Sequence, residues 1–193
     1  MTQPSSPYND TPGYVVIDPN ASYEQAATQA EASAHDVAVI SAQLGRPARG
    51  QPAVMHRCSF GLPTVVRVAP RLDDGTPFPT TFWLACPLLR SRVGTLEADH
   101  VMVGFNERLT TDETLRDDYA AAHERYVAFR DTLGPPLDGA PGSGGMPGYV
   151  KCLHVHVGHY LATGDNPIGE ETFGMLEPVK CSAPCVTNET VVS

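Results

Sequence analysis

The chain has 193 residues, of which 41% are hydrophobic, and a formal net charge of -9 at pH 7. This length suits one ordinary domain with a sizeable core. The negative charge, without any Lys- or Arg-rich run, argues against nucleic-acid binding, and no apolar stretch approaches the ~20 residues that a membrane-spanning helix needs. We therefore expect a single domain that neither binds nucleic acid nor inserts into a membrane.

The cysteines and the two ends of the chain define where it is expected to work and which part folds. Five cysteines cannot all pair within one chain, and residues 1–7 lack the basic and apolar regions of a secretory signal. These features predict reduced thiols and a cytoplasmic protein. Residues 1–20 and 177–193 are polar or Pro-rich and are predicted to be disordered. Residues 21–176 remain as a single predicted domain.

The first ordered element is predicted to be a helix over residues 23–44, which Gly45 ends. Short segments rich in β-branched and aromatic residues follow, separated by Gly-, Pro- and Asp-containing turns. These predicted strands cover residues 53–58, 64–69 and 80–86. If they pair as an antiparallel meander, Cys58 and Cys86 lie at the same end of the sheet.

Helical periodicity dominates the remainder of the domain. Residues 88–100 predict a short helix, 111–133 a long helix with an apolar stripe, and 149–162 a last helix. A Gly- and Pro-rich loop precedes the last of these. The predicted fold class is α+β: a small antiparallel three-stranded sheet at about 53–86, packed with three to four helices.

The segment 151–159 has the highest density of reactive side chains, with one thiol, three imidazoles and one ammonium. On a helix, Cys152, His156 and His159 share one face. If that face meets the sheet end that carries Cys58 and Cys86, three thiolates and one or two imidazoles surround a single point. Such a set suits tetrahedral zinc. The predicted metal ligands are therefore Cys58, Cys86, Cys152, His156 and His159.

Other interpretations of these residues stay open. Cysteines at the ends of apolar strands also pack as small buried hydrophobic residues, and a buried imidazole is often bonded to the backbone. His154 points away from the predicted ligands, so it is a candidate catalytic residue, as is His123 on the long helix. The pair Cys181 and Cys185 is assigned to the disordered tail.

An anion site is also conceivable in this region. Gly144 and Gly145 belong to a glycine-rich loop before a predicted helix start, and Lys151 lies in the first turn. Arg57 and Arg130 are further candidate anion contacts. The loop lacks the spacing of a phosphate-binding loop, and a plain connector and solvated arginines explain the same residues.

Several longer motifs resemble the bacterial family catalogued as domain of unknown function 501, in order over about residues 36–170. They are Gln43-Leu44-Gly45-Arg46, Arg57-Cys58, Pro70-Arg71-Leu72, the segment 74–80, Leu84-Ala85-Cys86-Pro87, Leu96-Glu97, His123-Glu124-Arg125-Tyr126, the segment 150–154, and Asn166-Pro167-Ile168-Gly169. The resemblance implies a protein of high-GC Gram-positive bacteria, often encoded near enolase, and a cytoplasmic housekeeping context. It implies no particular activity. Members often have a Cys-rich turn after the Arg-Cys pair, where this chain has Ser59-Phe60-Gly61.

Two functions follow from the predicted cluster. The first is a binding or regulatory module in which the Cys/His cluster, with or without zinc, holds the last helix to the sheet while the surface meets a protein partner or a small anionic ligand. The alternative is a zinc-dependent hydrolase acting on a small phosphorylated or acylated metabolite. Zinc with four protein ligands is usually structural, which favours the module.

Overall fold

The computed structural model describes residues 13–139 and 141–187. Its helices are α1 (Tyr23–Thr28), α2 (Ala34–Leu44), α3 (Pro87–Ala98), α4 (Val101–Thr111), α5 (Glu113–Arg130), α6 (Leu153–Thr163) and α7 (Pro167–Leu176). Its strands are β1 (Tyr14–Val15), β2 (Ala53–Arg57), β3 (Pro63–Arg67), β4 (Phe82–Leu84) and β5 (Val179–Lys180). None of the described helices is both long and apolar enough to cross a membrane.

The predicted α+β class and the three-stranded antiparallel sheet are confirmed. The strand order is β2-β3-β4, with Arg57 opposite Pro63 and Val65 opposite Leu84. Because neighbouring strands pair antiparallel, the end of β2 and the end of β4 flank the start of β3. Cys58 and Cys86, which follow these strand ends, therefore lie at the same end of the sheet, as the sequence predicted.

The helices outnumber those predicted, since the described residues contain seven. The predicted helix over 23–44 is two helices, because Glu31 forms a β-bridge with Ala53 and the chain restarts its helix at the Ser33 cap. α4 follows α3 directly, and His100 between them has a left-handed φ of 59°. α7 begins after the Asn166 cap and was not predicted.

Parts of both predicted disordered segments join the fold. β1 pairs antiparallel with β5, with Tyr14 opposite Lys180 and Val15 opposite Val179. Val15 and Val179 are almost fully buried in the main core. The predicted disorder of residues 1–12 and 188–193 lies outside the described residues.

α6 forms the centre of the core. Its residues Leu153, Val157 and Leu161 are fully buried, and the helix packs against α7, β4, α3 and α1. Gly158 allows the close approach to β4, since a Cβ there would lie 3.2 Å from the Phe82 carbonyl oxygen. A helix with neighbours on most sides buries its polar residues as well as its apolar ones. That burial decides the environment of the segment 151–159.

Candidate metal centre

Among the described residues, Glu97, Cys152 and His154 form the group whose potential metal-ligand atoms all lie within 4.8 Å of one another. Glu97 is in the last turn of α3, Cys152 is the residue before α6, and His154 is in the first turn of α6. All three are half-buried. The packing of the end of α3 against the start of α6 thus creates a site from residues more than fifty positions apart.

Hydrogen bonds orient two of these side chains. Glu97 Oε1 accepts hydrogen bonds from the Leu153 backbone N–H at 2.7 Å and from His154 Nδ1 at 3.1 Å. His154 Nε2 donates to the Arg90 carbonyl oxygen at 3.0 Å. The ring is therefore fixed with Nδ1 toward Glu97 and Nε2 toward the backbone.

The site is strongly polarised before any metal binds. Hydrogen bonding to Cys152, followed by that to Glu97, raises the pKa of His154 to about 9. Burial raises the pKa of Glu97, but the hydrogen bond and charge of His154 outweigh burial and hold that pKa below its ordinary value. At neutral pH the metal-free site therefore contains an imidazolium next to a carboxylate.

The arrangement fits a zinc ion in its donor types and their support. Thiolate sulfur, imidazole nitrogen and carboxylate oxygen are all common zinc ligands. A metal-bound histidine usually donates its other ring N–H to a carboxylate or backbone carbonyl, which is the role of the Arg90 carbonyl for His154. The side chains of Glu97, Cys152 and His154 could therefore hold a metal ion here. Three protein ligands would leave at least one coordination position open.

A cleft of about 490 Å³ adjoins this group. Cys152 and His154 lie in its wall, together with the cationic side chains of Arg90 and Lys151. Phe82, Trp83 and Leu84 form an apolar part of the wall. A ligand in the cleft would meet the metal-binding group, positive charge and an apolar surface at once.

His156 and His159, both predicted ligands, lie in a hydrogen-bonded part of the core. His156 Nε2 lies 3.2 Å from both Tyr119 Oη and the Gly144 carbonyl oxygen, and His159 Nε2 lies 2.5 Å from Tyr23 Oη. Burial lowers the pKa of His156 to about 4 and that of His159 to about 3. Both rings are neutral, fully buried and committed to protein partners.

The structure places Cys152 outside the helix that carries His156 and His159. α6 begins at Leu153, and Cys152 before it has an extended backbone with φ -145°. The helical phase therefore does not extend to Cys152, and its thiol is directed toward the end of α3. Cys152 is brought together with Glu97 and His154, and is not joined with Cys58, Cys86, His156 or His159.

The other predicted catalytic and anion-binding residues are mostly placed elsewhere. His123 does not lie in the wall of the cleft, and its Nδ1 is buried without a hydrogen-bond partner among the described residues. Arg57 forms a two-point ion pair with Asp36 at 2.7 and 2.9 Å. Arg130 is fully buried and donates to the Pro141 carbonyl oxygen at 2.5 Å.

The glycine-rich loop contributes shape to the site. Gly144 lies in the cleft wall, and its carbonyl oxygen accepts the Lys151 N–H at 2.7 Å. Gly145 has φ 102°, and a Cβ there would overlap the Tyr149 carbonyl oxygen. The backbone conformation of the turn therefore requires glycine at this position. Of the predicted anion contacts, Gly144 and Lys151 therefore face the cleft.

Sequence reasoning missed Glu97 as a site residue. The local sequence marks it only as a carboxylate near the end of a predicted helix, within the Leu96-Glu97 motif. Nothing in its spacing to Cys152 indicates contact. The signal that identifies it is tertiary, namely the packing of α3 on α6.

A family described as "Protein of unknown function (DUF501)" matches residues 54–174. The match includes all three residues of the candidate metal centre, nearly all of the three-stranded sheet and most of α7. No curated protein and no solved structure is significantly similar to the chain. Since the family match covers well over half of the sequence, the chain belongs to this family of proteins of unknown function.

Proposed function

We propose that this protein is a metal-dependent binding module, in which zinc held by Glu97, Cys152 and His154 receives a small anionic ligand from the adjacent cleft. The observation that carries this proposal is the convergence of three different zinc-ligand types within 4.8 Å, two of which, Cys152 and His154, lie in the wall of that cleft. A binding module is also the function that the sequence favoured, but the proposed metal ligands are different.

The cleft chemistry favours an anion. Three protein ligands leave one position of a tetrahedral zinc open, and an anionic oxygen binds such a position readily. The Lys151 ammonium is exposed, and the Arg90 guanidinium is half-buried and donates to the Gln43 carbonyl oxygen at 3.3 Å. Both cations line the same cleft and add attraction for a carboxylate or phosphate group.

A zinc-dependent hydrolase is the second candidate, and the open coordination position favours it. Catalytic zinc sites use three protein ligands and a water whose pKa the metal lowers. A general base is also expected within reach of that water. Among the described residues that line the cleft, His154 is the sole imidazole and there is no carboxylate. Since His154 is itself a proposed ligand, binding without hydrolysis is the better supported function.

Metal analysis of protein purified without a histidine tag tests the centre. We expect Glu97→Gln, Cys152→Ser and His154→Gln each to weaken zinc binding by about 100-fold or more, since loss even of an outer partner costs about 10- to 100-fold. Glu107→Gln and His100→Gln, exposed residues outside the centre, are the matched controls. Unchanged zinc affinity in Cys152→Ser and His154→Gln would exclude this centre.

Calorimetry with inorganic phosphate tests the ligand class. Zinc-loaded protein should bind phosphate, and Lys151→Ala should weaken that binding by about tenfold, because one attractive charge is lost from the cleft. Turnover of phosphoesters by zinc-loaded protein, lost in His154→Gln, would instead favour the hydrolase.

A further inference from the structure

Four of the five cysteines lie around one end of the three-stranded sheet, away from the Glu97 centre. They come from three segments of the chain: the turn after β2, the start of α3, and the segment that follows β5. The four are Cys58, Cys86, Cys181 and Cys185. Their convergence follows from a set of backbone and side-chain contacts.

Cys58 and Cys86 flank the start of β3 on opposite sides. The Cys58 N–H donates to the Leu62 carbonyl oxygen at 3.0 Å, and the Cys86 N–H lies 3.4 Å from the Thr64 carbonyl oxygen. Cys86 is 4% exposed, and Cys58 is half-buried against the core. The sheet register therefore fixes both thiols at the same sheet end.

Backbone hydrogen bonds to β1 and the residue before it connect the segment of Cys181 with the turn that follows Cys58. The Cys181 N–H donates to the Gly13 carbonyl oxygen at 2.6 Å, and the Ser59 N–H donates to the neighbouring Tyr14 carbonyl oxygen at 3.0 Å. The pairing of β1 with β5 thus places the residue after β5 next to the turn after β2.

Cys185 is held by Gln43 of α2. The Gln43 side-chain Nε2 donates to the Pro63 carbonyl oxygen at 2.9 Å and lies 3.5 Å from Cys185 Sγ. Gln43 is 6% exposed, so this amide is a fixed part of the interior. Because Pro63 is the first residue of β3, Cys185 lies near the strand that Cys58 and Cys86 flank.

The thiols also interact electrostatically. Burial, with smaller contributions from Cys181 and Cys185, raises the pKa of Cys86 to about 11, although the N–H groups of Leu89 and Leu88 oppose the rise. Burial, then Cys185 and Cys58, raise the pKa of Cys181. These contributions show that Cys86 lies near Cys181 and Cys185, and that Cys181 lies near Cys58.

We propose that Cys58, Cys86, Cys181 and Cys185 bind a structural zinc ion that fastens the segment after β5 to the sheet. Four cysteine ligands are typical of closed, structural zinc sites. No three of these four sulfur atoms all lie within 4.8 Å of one another, as the ligand atoms of the Glu97 group do. Zinc binding therefore draws the segment 181–185 toward the sheet until each sulfur lies ~2.3 Å from the ion. This site is independent of the proposed Glu97 centre and needs no ligand in the cleft.

Cobalt titration of the reduced, full-length protein tests this site. Thiolate ligands give cobalt a sulfur-to-metal charge-transfer band whose intensity rises with the number of sulfurs. We expect a strong band in the wild type and in Cys152→Ser, and its loss in the double variant Cys181→Ser/Cys185→Ser. That double variant should also retain about one equivalent less zinc than the wild type. Circular dichroism establishes that the variant is folded.

Three results would overturn the structural site while leaving the Glu97 centre untouched. They are an unchanged cobalt spectrum in the double variant, a strong band that disappears in Cys152→Ser alone, and a wild type that holds zinc only at the Glu97 centre and whose mass shows a disulfide among the other four cysteines after purification under reducing conditions. Conversely, a Glu97→Gln variant that holds less zinc but keeps the strong sulfur-to-cobalt band would show that the two sites bind metal independently.

Discussion

Asn166 fixes the proton positions of two buried histidines. Its Nδ2 lies 3.2 Å from His156 Nδ1 and 3.0 Å from His159 Nδ1, and its Oδ1 accepts the Gly169 N–H at 2.8 Å. An amide nitrogen donates, so both Nδ1 atoms accept and both Nε2 atoms carry the hydrogen. His159 then donates to Tyr23. One buried amide thus completes the hydrogen bonds of two rings that the sequence placed in a metal site.

Replacing Asn166 by leucine should destabilise the protein by about 3 kcal/mol. Leucine has the same branching of heavy atoms but leaves two ring nitrogens and the Gly169 N–H without partners, each of which costs about 1–3 kcal/mol when buried. The free energy of unfolding in urea measures the loss. Asn20→Leu, at an exposed position, is the control and should change stability by less than about 0.5 kcal/mol. Equal effects of the two substitutions would show that the Asn166 network contributes no stability.

The contact between α6 and α7 depends on one glycine. Gly169, in the first turn of α7, is fully packed against α6: a Cβ there would overlap the His156 carbonyl oxygen and lie 2.8 Å from Tyr160 Cβ. Gly174 of the same helix is exposed, and a Cβ there would meet nothing within 4 Å. The two glycines therefore have opposite roles in one element.

Alanine substitution at these two positions should change stability in opposite directions. Gly169→Ala forces α7 away from α6 and should cost about 2 kcal/mol or more. Gly174→Ala should stabilise α7 by about 0.5–1 kcal/mol, because alanine favours the helix over glycine. Thermal unfolding of both variants measures the two effects. A Gly169→Ala protein as stable as Gly174→Ala would contradict the close packing of these helices.

At the scale of the whole molecule, the buried histidines make stability depend on pH. The pKa values of His156 and His159 in the folded protein, about 4 and about 3, lie below the ordinary value of 6.5. Their contribution is therefore complete above about pH 6.5 and is lost as pH falls toward these folded-state values. The His154 pKa is raised to about 9, so its contribution is lost on the alkaline side and is nearly constant below pH 6.5.

We expect the free energy of unfolding to be lower at pH 4.5 than at pH 6.5 by on the order of 2 kcal/mol for each of the two buried rings. Urea unfolding at the two pH values measures the difference. His159→Gln should reduce the loss, whereas His35→Gln, at an exposed position, should leave it unchanged. A stability that is the same at both pH values would contradict the burial of neutral rings.

The sequence by itself determined the features that depend on neighbouring residues. Alternating β-branched residues and turn signals predicted the sheet and its meander, and hence the common sheet end of Cys58 and Cys86. Apolar spacing predicted the buried stripe of α5, where Leu115, Tyr119 and Tyr126 are buried. The density of reactive side chains also marked the segment that holds Cys152 and His154, although the sequence assigned them different roles, a metal ligand and a candidate catalytic residue.

Only the tertiary structure decided which distant groups those residues meet. Periodicity describes the faces of a helix but does not say what packs on each face, so it could not foresee that α6 is buried on most sides or that Glu97 approaches Cys152. The pairing of β1 with β5 likewise brings Cys181 into the fold from a segment whose composition predicted disorder. Contacts between separate elements depend on how all of them pack at once, and for this reason the candidate metal-binding groups could be identified only from the fold.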